Sequence, residues 1–252
     1  MRGLGFLQIP GDRGSLLALG AGSRGGAETS RAALTRLVQA VVLAAVVLSP
    51  WLHVPRLSTS LLTLICIYGI AATGLNLMFG YGGMLSLGNG VFLGLSAYGA
   101  AILSQKMHWA MVPSMLVGIA VGTAVAAVLG LLLVRLSAHY FGVATLGLAI
   151  AFYALPDALP NLTGGGSGIT AKPQMSLGFV TVQSKLQWYV VALVVTAAAV
   201  LLLAWVVAGK RGRILRLVRH DQLAAEVLGV PVLRVKLLAF VVGSALAALA
   251  GA

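Results

Sequence analysis

The chain contains few charged residues, and acidic side chains are the scarcest of them. Only 9% of its 252 residues are charged, and Asp and Glu together number 5. A soluble domain of this length carries roughly a quarter charged residues. A soluble globular fold is therefore excluded.

The few acidic residues also lie outside the apolar segments. After Arg36 the chain has only Asp157, Asp221 and Glu226. A transporter driven by protons or cations usually has a carboxylate within the membrane. An intramembrane protease needs paired acids or a histidine-rich metal motif. The sequence predicts neither class, and it predicts no metal site.

Two further absences concern cysteine and nucleotide-binding loops. Cys66 is the single cysteine, so no disulfide within the chain can form. The glycine-rich stretch "LTGGGSGIT" lacks the Lys and Ser/Thr of a phosphate-binding loop, because Gly168 is followed by Ile169 and Thr170. We therefore expect no enzyme and no cofactor in this chain; ATP and Mg²⁺, if used, bind to another chain.

Long apolar runs are what the chain does have. Hydrophobic residues make up 60% of it, and several runs reach the roughly 20 residues that cross a hydrocarbon core. The sequence thus predicts an all-α, polytopic bundle of about seven hydrophobic segments in a membrane. The predicted segments are 36–53, 58–80, 86–104, 110–134, 139–156, 187–208 and 233–252.

The remaining segments organise the chain around this bundle. Residues 1–30 are rich in Gly, Ser and Arg and indicate a flexible tail, followed by a membrane domain at 31–252. A polar loop at 157–186 and a basic segment at 209–232 separate the last spans. No charged or aromatic anchor follows the last apolar run, so we expect the domain to be incomplete at its carboxyl end.

The distribution of Lys and Arg predicts the orientation in the bilayer. With alternate crossings, one side receives 13 cations, from the tail, Arg135 and the stretch 210–236. The opposite side receives only 4. Cytoplasmic loops carry the excess of Lys and Arg. We therefore expect a cytoplasmic amino terminus and 209–232 segment, an outward-facing 157–186 loop, and no nucleic-acid partner despite the net charge of +12.

The basic segment predicts a short amphipathic helix outside the membrane core. Arg213, Arg216 and Arg219 recur every three residues beside apolar Ile214 and Leu217. Such a helix either lies on anionic lipid or docks a cytoplasmic partner. The residues alone leave both readings open.

The stretch "GYGGMLSLGNGVFLGLSAYGA" at 80–100 contains seven glycines. Gly80, Gly82 and Gly83 predict a tight turn that needs positive φ. Gly90 and Gly94 with Ala97 predict a helix face that a neighbouring helix can approach closely. A broken or half-depth helix is the alternative, because irregular backbone is tolerated where it lines a cavity.

The order of motifs resembles the permease subunits of branched-chain amino acid ABC importers, in their LivM-like branch. The resemblance is carried by "TGLNLMFGYGGMLSLGNGVFLGLSAYGAAIL" at 73–103, "YFGVATLGLA" at 140–149 and "NLTGGGSGIT" at 161–170. It continues through "GRILRLVRHDQLAAEVLGVPVLRVKLLAFVVGSALAALAGA" at 212–252. The chain departs from the family pattern at Asn89–Gly90, Ile150 and Ser167, which bears on the substrate.

The resemblance implies an importer in the bacterial inner membrane that works with several partners. These are a second, LivH-like permease, two cytoplasmic ATPases and a periplasmic solute-binding protein. A coupling helix, which maps to about 212–230, would fit a cleft of the ATPase and favours the docking reading of the basic segment. Its expected contact residues are Arg213, Arg216, Arg219, Ala224, Ala225, Glu226 and Gly229.

The implied activity is translocation of branched-chain or similar small amino acids by alternating access. Uncharged polar side chains would line the path, with hydrogen bonding between helices as their alternative role. The candidates are Asn76, Ser86, Asn89, Ser96, Tyr98 and Thr145. Two other functions fit the scarcity of charge: a passive channel for small neutral solutes such as urea or amides, and an assembly subunit.

Overall fold

The computed structural model describes residues 59–169, 175–176, 181–182 and 184–252, without the side chains of residues 138, 139, 175, 176, 181 and 182. The predicted tail at 1–30 and the predicted span at 36–53 lie outside these residues. The described part is almost entirely helical, as the composition predicts.

Nine α-helices occur among the described residues. They are α1 (Thr59–Leu75), α2 (Asn89–Lys106), α3 (Met111–Leu133), α4 (Ala138–Ala158), α5 (Pro160–Thr163), α6 (Lys185–Ala208), α7 (Lys210–His220), α8 (Gln222–Val227) and α9 (Val232–Gly251). A π-helix (Asn76–Tyr81) continues α1, and a 3₁₀-helix (Gly165–Ser167) follows α5. Two-residue strands, β1 (Met175–Ser176) and β2 (Thr181–Val182), form an antiparallel pair in the loop before α6.

Five described helical segments are long and apolar enough to cross a bilayer. They are Thr59–Tyr81, Met111–Leu133, Tyr140–Ala158, Lys185–Ala208 and Val232–Gly251. The predicted spans at 58–80, 110–134, 139–156, 187–208 and 233–252 are thereby confirmed. The helix of the fifth predicted span extends two residues further than expected, so Asp157 lies in its last turn.

The predicted span at 86–104 is not among these five, so the described residues do not support seven spans. It forms α2, whose 18 residues carry Asn89 at one end and Gln105 and Lys106 at the other. These polar residues and the helix's glycines keep its hydropathy below that of its neighbours. α2 packs mainly between α3 and α9. This packing shields the helix, so it does not need a fully apolar surface.

Small residues set the closest helix contacts. A Cβ on Gly118 of α3 would lie 2.6 Å from the carbonyl oxygen of Ser96 on α2. A Cβ on Gly122 would lie 3.0 Å from the Cβ of Ala248 on α9. Helices in membranes associate through such side-chain-poor faces, because close backbone approach gives dense van der Waals packing.

An aromatic cluster fills the core where α2, α4 and α9 converge. Phe240 is fully buried, and its ring meets the rings of Phe92 and Phe141 edge-on. Both centroid distances are 5.7 Å and both interplanar angles are 85°. Edge-to-face pairs are favoured by the ring quadrupole, so the cluster fixes the mutual orientation of three helices.

Residues 82–88, which we name the irregular segment, connect the π-helix to α2 without regular secondary structure after the turn at Gly82. The Asn89 side chain at its end donates to the carbonyl oxygen of Ala71 at 3.3 Å. Ala71 lies ten residues before the end of Thr59–Tyr81, a distance of roughly 15 Å along a helix. α2 therefore begins about halfway up the first described span, and a broken helix is what this stretch forms.

The prediction of positive φ for Gly80, Gly82 and Gly83 is right at one position and wrong at two. Gly83 has a φ of +67°, but Gly82 has a φ of −87°. Gly80 is part of the π-helix and is not among the described glycines with positive φ. The helix widens before it ends, so one left-handed residue suffices to turn the chain.

The predicted single helix at 212–230 is also corrected. The segment forms two helices, α7 and α8, separated by Asp221 in an extended conformation with φ −151° and ψ 112°. The Asp221 carboxylate accepts a hydrogen bond from the backbone N–H of Ala224 at 3.1 Å and so caps α8. An N-cap residue has a non-helical backbone conformation, so the preceding helix ends before Asp221.

Candidate functional site

Three of the predicted path residues meet around the irregular segment. Thr145 Oγ1 accepts a hydrogen bond from the N–H of Leu87 at 3.1 Å and donates to the carbonyl oxygen of Gly142 at 2.9 Å. Asn89 ties the other end of the segment to α1. Ser86 lies between them and is only 3% exposed. The segment is thus held by α1 and α4 through polar contacts.

Two acceptor atoms in this cluster have no partner within the described part of the chain. Ser86 Oγ and Asn89 Oδ1 are both buried without a hydrogen bond. A buried polar group without a hydrogen bond lowers the stability of the fold by roughly 1–3 kcal/mol. Such a group in a native structure is therefore a candidate for a functional role. Both atoms lie beside the break in the helix and have almost no exposed surface in this conformation.

The other path candidates lie apart from this cluster. Ser96 is fully buried against α3, and its hydroxyl has no hydrogen-bond partner among the described residues. Asn76 begins the π-helix and is exposed, with its side chain over Gly80. Tyr98 lines a cleft near the far end of α2. The structure therefore brings Ser86, Asn89 and Thr145 together and leaves Asn76, Ser96 and Tyr98 at other levels.

The cleft beside Tyr98 has a volume of about 410 Å³. It lies between α2, the start of α3 and the end of α9, and it includes Gly168 and Ile169 of the loop after α5. Tyr98 and Ser104 are its hydroxyl-bearing side chains, among small apolar residues and two methionines. Sites for small molecules commonly have a volume of about 300–1,000 Å³, so the cleft is large enough for an amino acid.

The predicted packing residues of α2 have varied surroundings. A Cβ on Gly90 would meet no atom within 4 Å, whereas a Cβ on Gly94 would lie 2.7 Å from a ring carbon of Phe152. Ala97 lines the cleft. A close-packing role for Gly90, Gly94 and Ala97 stays a prediction.

Helices α7 and α8, residues 210–227, form what we name the docking segment. One face of α7 is buried through Gly212, Leu215 and Val218. Arg213 and Arg216 lie on the exposed side, and within the described part of the chain their guanidinium groups form no hydrogen bond or ion pair. The basic stripe therefore points away from the bundle at these two positions.

Arg219 is also exposed, but its side chain contacts the bundle. Its guanidinium donates a hydrogen bond to the carbonyl oxygen of Gly80 at the end of the π-helix. It thus belongs to the contact between the docking segment and the first described span.

Helix α8 and the residue after it expose apolar side chains. Leu223, Val227 and Leu228 are 75%, 88% and 70% exposed. Ala225 is fully buried, whereas Ala224 and Glu226 are exposed on the same turn of helix. The spacing of the arginines points to α7, and sequence reasoning misses these three larger residues. Their signal in the sequence is their place beside Ala224 and Glu226 in a segment too polar to span.

A Schellman motif ends α8. The N–H of Gly229 donates to the carbonyl oxygen of Glu226 at 2.9 Å, and the N–H of Val230 donates to that of Ala225 at 3.0 Å. Gly229 has a φ of +76°, the left-handed conformation that this motif requires. The docking segment therefore ends in a fixed turn that leads into α9.

A lysine near the start of α9 also escapes the sequence reasoning. Lys236 is only 8% exposed. A buried cation is costly in a membrane segment and usually marks a functional contact. Its signal in the sequence is a cation inside the predicted span at 233–252.

Comparison with known proteins agrees with the architecture. The family model described as "Branched-chain amino acid transport system / permease component" matches residues 57–252. The chain is 30% identical over 224 residues to the high-affinity branched-chain amino acid transport system permease protein LivM of Salmonella typhimurium, and 28% identical over 224 residues to that of Escherichia coli. No solved structure matches the chain.

Each alignment covers 79% of this chain and 52% of the relative, so the chain spans about half the length of the curated relatives it matches. The family match itself covers well over half of the chain. With five helical segments capable of crossing a bilayer, the protein is a multi-pass membrane protein. It belongs to the family of permease components of branched-chain amino acid transport systems.

Proposed function

We propose that the protein is the membrane-spanning permease subunit of an ATP-binding-cassette importer for branched-chain or similar small amino acids. Its partners are a second permease subunit, two cytoplasmic ATPases that bind ATP and Mg²⁺, and a periplasmic solute-binding protein. The substrate class follows the names of the two relatives, which are branched-chain amino acid permeases. With 86–104 counted as a crossing, as the sequence predicts, the distribution of 13 cations against 4 supports an orientation with the docking segment in the cytoplasm.

The observation that carries the proposal is the apolar surface of α8. Leu223, Val227 and Leu228 are well exposed in a loop between two membrane spans, and Arg213 and Arg216 project from the helix before it. Contiguous exposed apolar side chains rimmed by polar residues mark protein interaction sites. This surface fits a partner with an apolar cleft and acidic groups at its edge, as we expect of the ATPase.

The polar residues inside the bundle support the transport half of the proposal. An amino acid passing between helices needs hydrogen-bond partners without fixed charges that would hold it. The Ser86 hydroxyl and Asn89 carbonyl offer such partners halfway along the first span, and Tyr98 offers one in the outer cleft. In alternating access, these polar groups would be exposed first to one side of the membrane and then to the other.

The test is uptake by the complete transporter in liposomes with its binding protein. Radiolabelled leucine, isoleucine or valine should accumulate only when ATP is supplied to the ATPases. Arg216→Gln and Glu226→Gln should lower this uptake, because both side chains are exposed on the docking segment. Unchanged uptake in both variants would refute the docking assignment.

The same preparation separates the proposal from a passive channel. Liposomes that hold this chain without ATPases should show no flux of leucine or urea. Rapid solute flux in the absence of ATP would refute the importer and favour a facilitator.

A further inference from the structure

We propose that Arg219 is a positioning residue that joins the docking segment to the irregular segment, so that movement of the first displaces the second. The inference rests on the proposed function, since it describes how force from an ATPase would reach the polar residues of the path. It assigns Arg219 a role inside the subunit rather than at the ATPase surface.

The contact has two parts. The guanidinium of Arg219 donates to the carbonyl oxygen of Gly80. The aliphatic stem lies against Gly83, where a Cβ would be 3.0 Å from Arg219 Cγ and 3.5 Å from Arg219 Cβ. The missing side chain of Gly83 leaves room for the stem of Arg219, and any other residue would occupy that room. The φ of +67° would also strain any other residue at this position. The arginine is therefore held by a hydrogen bond at its tip and by packing along its stem.

The docking segment can act on this contact as one unit. Val218, next to Arg219, is fully buried with Ala225 of α8 and Val232 of α9. Asp221 is bonded to both helices, because its N–H donates to the carbonyl oxygen of Leu217 at 3.0 Å and its carboxylate accepts from the N–H of Ala224 at 3.1 Å. A push on the exposed surface of α8 therefore reaches Arg219 without an intervening flexible joint.

The irregular segment is the part that can yield. Gly83 precedes Ser86 by three residues and Asn89 by six, and between them the backbone forms no regular helix. The long helices on either side resist bending because each turn is hydrogen-bonded. A displacement of the turn at Gly83 is thus absorbed at 84–88, beside the unpartnered Ser86 Oγ and Asn89 Oδ1.

Arg216, another arginine of the basic stripe, supplies a comparison of equal charge. Arg216 is one turn away on the same helix and carries the same charge, but it points outward and has no described hydrogen-bond partner in the bundle. Arg216→Gln and Arg219→Gln therefore remove equal charge from neighbouring positions on the helix, of which only Arg219 contacts the bundle. Arg219→Lys keeps a donor and a stem at the contact.

The first experiment measures leucine uptake per ATP hydrolysed by the complete transporter in liposomes. Arg219→Gln should lower this ratio by about tenfold, the factor that corresponds to one hydrogen bond to a charged group. The variant should still assemble and hydrolyse ATP, and Arg219→Lys should recover much of the ratio. Arg216→Gln should lower ATPase retention, whereas Arg135→Gln, which removes an exposed cation outside the docking segment, should leave the ratio unchanged. A normal ratio in Arg219→Gln would overturn the inference.

A second experiment does not depend on how well that variant folds. The 3.5 Å between the two Cβ positions suits a disulfide, so Gly83→Cys with Arg219→Cys should cross-link in a Cys66→Ala background. The oxidised protein, in which the disulfide replaces the Arg219 contact, should show a high ratio of leucine uptake to ATP hydrolysed. The same sample should show a low ratio after the disulfide is reduced. Any backbone strain that the Gly83→Cys substitution introduces is common to both states.

Equal ratios before and after reduction would overturn the inference, as would inhibition by the cross-link. Failure of the proposed function is distinguishable, because it would remove ATP-dependent uptake from the wild-type transporter itself.

Discussion

The contact between α2 and α3 predicts a measurable cost for a single added methyl group. Gly118→Ala would place a Cβ 2.6 Å from the Ser96 carbonyl oxygen and 3.0 Å from the Ala100 nitrogen. Ordinary contacts begin near 3.4 Å, so the first distance is 0.8 Å too short. Both neighbours are backbone atoms and cannot rotate away, so α2 must move as a whole.

Overpacking of this kind costs about 1–3 kcal/mol. Gly147→Ala is the matched control, because a Cβ on Gly147 of α4 meets no atom within 4 Å. There the substitution should stabilise the helix by up to about 1 kcal/mol. At about 2–4 °C for each kcal/mol in a protein of this size, Gly118→Ala should melt several degrees below Gly147→Ala.

Thermal unfolding of the two purified variants in detergent, followed by tryptophan fluorescence, measures this difference. Equal melting temperatures would show that α2 and α3 do not pack backbone to backbone at Gly118. A lower melting temperature for Gly147→Ala would contradict the open space around α4.

Three further predictions concern the docking segment and the core. Leu223→Ala should reduce the amount of ATPase that copurifies, whereas Leu201→Ala, similarly exposed on the α6 span, should not; equal retention would contradict a docking role. Asp221→Ala should cost about 1 kcal/mol through loss of the cap on α8. Hydrogen exchange should then accelerate in α8, and unchanged protection there would contradict the cap. Phe240→Ala should destabilise the protein by about 3 kcal/mol or more, because the ring is fully buried between two others. Phe240→Leu should cost less, and similar melting temperatures for the two variants would contradict the aromatic cluster.

The sequence predicts the uniformly apolar spans better than it predicts α2. Met111–Leu133 and Lys185–Ala208 are evident from composition, because each is apolar over the length of a bilayer crossing. α2 carries Asn89 at one end and Gln105 and Lys106 at the other, so its hydropathy does not identify it. Its start at Asn89, about halfway along Thr59–Tyr81, depends on a contact with Ala71 that lies 18 residues earlier in the chain.

The residue spacing within one helix also does not predict which residues meet between helices. The glycines that pack closest to backbone of other helices include Gly74 against Gly243 and Gly118 against Ser96. Their partners are remote in the chain, and spacing within one helix does not identify them. The break at Asp221 is more accessible, since Asp is a preferred helix-capping residue.

For the candidate site, residue type is informative and position is not. Uncharged polar residues in apolar surroundings are evident from the sequence, but the grouping of Ser86 and Asn89 with Thr145 arises from the turn at Gly83. The different partners of Arg216 and Arg219 likewise follow from how α7 packs beside the π-helix, since only Arg219 reaches the carbonyl oxygen of Gly80. The spacing of the arginines predicts a basic stripe, but it does not identify Arg219 as the arginine that is hydrogen-bonded within the protein.

The sheltered position of α2 has a consequence for the order in which the protein is made. α2 ends at Lys106 and α9 begins at Val232, so the ribosome adds more than a hundred residues before the helix that covers α2 is complete. At about 5–20 residues per second this takes on the order of ten seconds. During that interval the newly made hairpin of α2 and α3 has its glycine-rich faces unmatched. A factor that holds this hairpin until α9 emerges would serve the protein during biosynthesis and leave it once the bundle closes.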